Sequence, residues 1–157
     1  MSRIYPDFIK RILDLCFAIP LAIFFFPWIV VALLFPGVRM VKKQRVGRNT
    51  KLFTEYRLRC PLAGPGHWLE STSFHRFPAL WNILIGEMSF IGPRALREEE
   101  AMPEEGRAHP RFSLRPGYVD PWWVRVRSNM TFDDPFAVDA GYVRDVSFKT
   151  DVGVLLR

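Results

Sequence analysis

From Leu15 to Val38 the chain carries no charged residue (LCFAIPLAIFFFPWIVVALLFPGV), a run long enough to cross a hydrocarbon core about 30 Å thick. A secretory leader would have a shorter apolar core followed by small residues at a cleavage site. Here Arg39, Lys42 and Lys43 follow instead, and the run reads as a retained membrane element. Both flanks are basic, with Arg3, Lys10 and Arg11 before the run and Arg39, Lys42, Lys43, Arg45 and Arg48 after it. Positive charge marks the cytoplasmic side, and a single span would carry one of these clusters across. Pro20 and Pro27 lie inside the run, and an interior proline removes a helix hydrogen bond and kinks the axis. A bend near Pro27 would let the chain enter one leaflet and leave by the same face, provided that the freed carbonyls find partners. A straight, proline-kinked transmembrane helix is the alternative. Anionic headgroups favour the basic flanks in either case, by about 1 kcal/mol for each Lys or Arg near the surface.

The charge follows the same division. Residues 1–60 hold 11 Lys and Arg against 3 Asp and Glu, whereas residues 61–157 hold 11 against 13. Because the basic excess brackets the membrane run and does not lie along a soluble face, a nucleic-acid partner is not expected. At 157 residues, nearly half of them apolar, the chain can bury one core. The expected organisation is a membrane element over 1–40 and one small domain over 41–157. Cys16 and Cys60 make neither a disulfide framework nor a metal-ligand spacing, which points to a reducing compartment.

After the membrane run, residues 42–59 predict a hairpin: an extended stretch from Gln44 to Gly47, a polar turn at Arg48, Asn49 and Thr50, then an alternating run from Leu52 to Leu58. Residues 60–70, with two Pro and two Gly, predict a loop. A helix is expected next, capped by Ser73, with Phe77, Leu80, Trp81 and Leu84 on one face and Gly86 as its stop. Pro78 falls near its first turn, where the missing N–H costs little. A strand or extended segment follows over 87–96, turning at Gly92-Pro93, and residues 96–106 read as an acidic helix and loop broken by Pro103. Trp122 and Trp123 suit either a membrane interface or a core. Residues 133–144 predict a helix, and 152–156 a short apolar tail. His67 and His109 stand at no ligand spacing and read as surface residues.

Taken in order, KRILDL (10–15), the proline-interrupted apolar run, QRVG (44–47), FTEYRLR (53–59), FPALWNILIGEMSFIGPR (77–94), RPGY (115–118) and VDAGYVRDVSFKTDV (138–152) resemble the motif series of the bacterial sugar transferases, the small monotopic polyprenol-phosphate phosphoglycosyl transferases. The likeness covers nearly the whole chain, and NILIGEMSFIGPR is its most specific piece. The resemblance implies an α/β, mainly helical fold in which a re-entrant membrane helix-break-helix, broken at Pro27, packs on a small cytoplasmic domain. It also implies a monotopic protein at the cytoplasmic face of the bacterial inner membrane. Proteins of this kind move a phosphosugar from a nucleotide sugar onto polyprenol phosphate, in surface-glycan assembly. In them an aspartate attacks the sugar diphosphate, beside a glutamate and with Mg²⁺.

Those two acids lie three and two residues before the motif proline. Counting back from Pro78 places them at His75 and Arg76, so both carboxylates are replaced. The chain departs from its relatives in other places as well. The loop over 60–72 is short, Ala95 stands where the family motif GPRP ends in proline, and Asp120-Pro121-Trp122-Trp123 occupies a segment where relatives carry Gly and Gln. The resemblance places Arg45, Arg59, Arg94, Arg115 and Arg127 in phosphate-facing segments, and guanidinium forks suit phosphate oxygens. A helix start at Ser73 would add N–H donors. Arg76 would repel Mg²⁺, so no metal cofactor is expected. A neutral imidazole is a competent phosphoryl acceptor, and a neighbouring arginine would hold His75 neutral.

Three readings follow: binding of polyprenol phosphate or a polyprenol-linked sugar without turnover, a changed phosphoryl-transfer or hydrolytic reaction at His75, or the family reaction by other means. Partners under any of them are membrane lipid, the prenyl ligand and a glycan-assembly enzyme.

Overall fold

The computed structural model describes residues 5–60, 72–101, 109–127 and 134–156. A π-helical turn over Tyr5–Ile9 leads into helix α1 (Lys10–Leu33), which continues as helix through Pro20 and Pro27. Together they form, among the described residues, the one helix long and apolar enough to cross a membrane by length and composition. The break expected at Pro27 is absent from this helix, and the chain turns instead after Leu33. Each proline removes one ladder bond, but packing on both sides of Pro27 holds the helix. Phe25 stacks on Phe77 with ring centroids 3.8 Å apart and meets Phe74 at 6.0 Å. Ala32 is buried with Val38, Leu58 and Phe74.

One stripe of α1 faces the rest of the protein. Lys10, Asp14, Ala18, Leu21, Phe25, Ile29 and Ala32 recur at three- and four-residue steps, the spacing of a single helix face. The polar members of KRILDL each reach a different element. Lys10 bonds Asp151 and Tyr142, Arg11 donates to the carbonyls of Ile83 and Leu84, and Asp14 accepts from Ser89 Oγ (3.0 Å) and Phe90 N (2.9 Å). The opposite face stays open, with Phe17, Ile23, Phe24, Phe26 and Trp28 all more than half exposed. An apolar surface of this kind marks a membrane or partner contact.

Strands β1 (Arg39–Val46) and β2 (Leu52–Arg59) pair antiparallel across the polar turn, where Asn49 and Thr50 take left-handed backbone angles. A 3-10 segment over Phe74–Ala79 runs into helix α2 (Leu80–Ile85), and Gly86, at φ 89°, ends it as the sequence anticipates. Ser73 is not a cap: it is itself left-handed (φ 59°) and its side chain makes no capping bond, because the segment behind it is a tight 3-10 turn.

Strand β3 (Ser89–Ile91) lies parallel to β4 (Gly117–Val119), with the short helix α3 (Glu98–Ala101) between them in sequence. The two glycine motifs meet here. A Cβ on Gly117 would fall 2.2 Å from Gly92 N, and one on Gly92 would fall 2.5 Å from Arg115 O, so neither position admits a side chain.

Helices α4 (Pro121–Arg127), α5 (Pro135–Arg144) and α6 (Phe148–Leu155) complete the chain. Asp134 and Ser147 cap the last two. The apolar tail expected over 152–156 is thus mostly the end of α6. The core gathers Ala18, Phe53, Ala79, Leu80, Ile83 and Met88 where α1, the hairpin and α2 converge. Asn82, fully buried, ties them further, donating to Thr54 O and Glu87 at 2.7 Å each. The fold is therefore mixed and mainly helical, with an N-terminal apolar helix compatible with a membrane anchor.

Candidate functional site

Side chains alternate across a strand, and in this hairpin the alternation collects positive charge. Arg39 faces Arg59, Val41 faces Arg57 and Lys43 faces Glu55 across the ladder. Arg39, Val41, Lys43, Arg57 and Arg59, with Lys42, Cys60 and His75, line a cleft of about 790 Å³. Like charges placed directly opposite one another, as Arg39 and Arg59 are, cost up to about 1 kcal/mol. Burial first, and the Arg57 and Arg45 charges after it, push the Lys43 ammonium below its ordinary pKa. Among the described residues, no carboxylate lines the cleft. The neighbouring Glu55 is 1 % exposed and already holds Arg45 (2.9 Å) and Arg57 (2.6 Å).

His75 and Arg76 point apart. His75 lines the cleft, whereas Arg76 turns into the body of the protein. Its guanidinium donates to Tyr118 O at 2.5 Å and lies 4.6 Å over the Tyr118 ring. Burial, chiefly, lowers the Arg76 pKa and raises that of Tyr118. Arg76 thus clamps the 3-10 turn to β4.

The arginines singled out from sequence separate in space. Arg59 stands in the cleft. Arg45 is buried against Glu55. Arg94 lies 5.2 Å over the Trp122 ring and 3.5 Å from Glu100. Arg115 donates to Gly86 O at 2.9 Å, holding the end of α2. Arg127 closes α4, and its side chain lies outside the described residues, as does His67. Ser73 is exposed beside the turn. Of the expected set the structure brings together His75 and Arg59. It adds Arg39, Lys42, Lys43 and Arg57, which the sequence shows only as a basic membrane flank and an alternating strand.

A second charged group is closed. Arg111 and Asp139 pair at 2.6 Å with side chains 1 % and 0 % exposed, and Arg111 also donates to Arg94 O. Asp120 accepts from Trp123 N at 2.7 Å, and burial raises its pKa. His109 accepts from Arg111 N and rests edge-on against Phe136. Trp122 is half-buried under Arg94, while Trp123 is 46 % exposed.

Chemically, the cleft offers N–H donors and positive charge, which suit phosphate oxygens. Among the described residues its lining does not fit a hard divalent cation, which asks for about six oxygen ligands.

The family model for bacterial sugar transferases matches residues 61–157, more than half of the chain. The UDP-galactose-lipid carrier transferase of Erwinia amylovora is 33% identical over 92 residues, 59% of this chain and 19% of that protein. The undecaprenyl-phosphate galactose phosphotransferase of Salmonella typhimurium is 25% identical over 154 residues, 77% of this chain and 32% of that protein. The uncharacterized sugar transferase EpsL of Bacillus subtilis is 27% identical over 168 residues, 94% of this chain and 83% of that protein. The chain thus spans about a fifth of the first relative and a third of the second, and most of the third. With that match and the motif-bearing segments packed on one another, the chain belongs to the bacterial sugar transferase family.

Proposed function

We propose that this protein is a membrane-associated, phosphoglycosyl-transferase-like component of bacterial surface-glycan assembly. It binds polyprenol phosphate or a polyprenol-linked sugar in the basic cleft, without the Mg²⁺-dependent reaction of its family. The observation that carries this reading is the cleft lining: Arg39, Lys42, Lys43, Arg57, Arg59 and His75, with no carboxylate among them. The position of the family's acidic pair bears an imidazole that faces the cleft and a guanidinium that faces away. Neither would hold Mg²⁺, and no step is assigned to the metal. The relatives' names, a lipid carrier transferase and an undecaprenyl-phosphate phosphotransferase, support a lipid phosphate as the ligand class.

The protein sits on the cytoplasmic face of the inner membrane, with both ends of α1 on that side. Support comes from the contacts of the helix. Lys10, Arg11 and Asp14 at one end and Phe25 and Ala32 at the other all pack on the same domain. A helix of this length extends about 36 Å, and one held at both ends by a single body lies along that body. Its open aromatic face then enters the lipid. Basic flanks on both sides of the apolar run agree with this placement.

The second reading, phosphoryl transfer to His75, is favoured by the one fact that this imidazole lines the cleft. Binding of a short-chain prenyl phosphate to detergent-solubilised protein in EDTA tests the first. Hydrogen bonds to charged groups contribute about 1.5–3 kcal/mol each, so Arg57→Ala with Arg59→Ala weakens binding at least a hundredfold. Arg144→Ala, at an exposed position that closes α5, leaves it unchanged. Equal affinity in wild type and the double variant would remove the cleft from the function. Release of nucleoside monophosphate from a nucleotide sugar, lost in His75→Ala, would replace binding by turnover.

A further inference from the structure

Strand β1 is open along one edge. Neighbouring residues of a strand turn their main-chain N–H and C=O groups to opposite sides. Gly47 N donates to Lys51 O (2.8 Å) on the β2 side, and Val46 N donates to Leu96 O (2.9 Å) on the far side. The pairing with β2 runs without a bulge from Arg39 to Val46, so Met40, Lys42 and Gln44 also turn these groups to the far side. All three are exposed, and among the described residues no strand pairs with them there. The chain begins such a strand and abandons it: Leu96 bridges Val46 antiparallel, and α3 starts at Glu98. A cavity of about 550 Å³ between residues 43–45 and 97–99 lies at that end of the edge. From Met40 to Gln44 the edge runs about 14 Å, and each of its three outward residues offers one donor and one acceptor.

An open edge is a template for another strand, and charge decides which strand it takes. Arg39, Lys42 and Lys43 flank the outward groups. A second copy laid antiparallel on this edge would set these cations against one another, which is destabilising, and lysines on an edge blunt such self-pairing. A strand that carries carboxylates meets opposite charge at the same positions. We propose that the free edge of β1 takes an extended, acidic segment of a partner protein as a third strand of the hairpin sheet. Main-chain bonds to Met40, Lys42 and Gln44 hold the segment, and Arg39, Lys42 and Lys43 select its charge. Lys42 lies on one face of the sheet and Arg39 and Lys43 on the other, so acidic residues are read on both faces of the added strand. The site rests on the backbone of β1 and holds whichever ligand the cleft takes.

The test is residue-resolved hydrogen exchange of the full chain in neutral-lipid nanodiscs, with and without an excess of a short capped peptide alternating Glu and Val. The amides of Met40, Lys42 and Gln44 should exchange about tenfold more slowly, or slower still, with the peptide present, while those of Val41 and Lys43, which face β2, keep their rates. The same peptide N-methylated at every residue keeps its carboxylates and offers no N–H, and it should protect none of the three. A peptide alternating Lys and Val should likewise fail. Arg39→Glu with Lys43→Glu should abolish the protection, and the Val46 amide, bonded to Leu96, reports whether that variant is folded; should it not fold, the comparison of the two Glu peptides on wild type decides. Unchanged exchange at Met40, Lys42 and Gln44 in excess Glu peptide, or equal protection by its N-methylated form, would overturn the proposal. Protection without peptide that is lost on dilution to one protein per disc would make the occupant a second copy. Protection by anionic lipid in place of peptide would make the edge a membrane contact, and either result overturns the proposal as well.

Discussion

In the hairpin cleft, Arg39, Lys42, Lys43 and Arg59 have no carboxylate partner among the described residues, whereas Lys10 with Asp151 and Arg111 with Asp139 are matched one to one and sealed from water. Sequence alone does not distinguish the two sets, because nothing local to a basic residue names its partner. Physics does. A charge taken out of water needs a partner at once, so the sealed pairs hold elements together. A cation left at an open surface costs little there and is available to a ligand. Arg57 stands between the two cases, held by Glu55 at 2.6 Å yet lining the cleft.

The sharpest way to break this distinction is to remove one charge from each set. Asp151→Ala leaves Lys10 buried without its counter-charge, and takes from Tyr142 and Tyr5 a partner that each bonds at 2.5 and 2.8 Å. Unfolding monitored in detergent should show a loss of about 3–5 kcal/mol. Arg59→Ala, in the cleft, should stay within about 0.5 kcal/mol of wild type, or gain slightly from relief of the facing Arg39. Comparable losses in the two variants would erase the division between structural and ligand-facing charge.

A smaller effect sharpens the sealed side. Burial lifts the Asp139 carboxyl to about 6, even with Arg111 beside it, and the Asp120 charge adds to the rise. The folded state therefore binds this proton more tightly than the unfolded chain does. The resulting stability is complete below the ordinary carboxylate range and is lost as pH rises through about 6. Melting temperatures of wild type and Asp139→Asn, measured from about pH 4 to 7, should show wild type losing ground relative to the variant as pH increases. Parallel curves would mean that Asp139 titrates alike in both states.

Much of the fold was legible beforehand, and the exceptions have identifiable causes. The hairpin was readable because a polar turn separates two strand-like runs, and Gly86 because only a left-handed stop suits that position. Pro27 misled: proline states which bond is missing, while the packing of Phe25 on Phe77, 52 positions along the chain, lies outside any local window. Ser73 misled for the same reason, since a 3-10 turn and a helix start share their local residues. At the site, the fate of each arginine depended on partners distant in sequence: Tyr118 for Arg76, Gly86 for Arg115, Asp139 for Arg111. Arg39 and Arg57 were visible as charges but not as a site. Their convergence requires the hairpin register, and their basic flank already had a membrane explanation.

The central claim is that the cleft takes a phosphate on protein cations alone. Calorimetric titration of the detergent-solubilised protein with a short-chain prenyl phosphate, in EDTA and then in Mg²⁺, tests it most directly when wild type is set against His75→Asp with Arg76→Glu. Wild type should bind with the same affinity in both buffers. The double variant, with a carboxylate now in the cleft, should bind weakly in EDTA and recover with Mg²⁺. Wild-type binding that disappears on chelation, or tighter metal-free binding by the double variant, would contradict it.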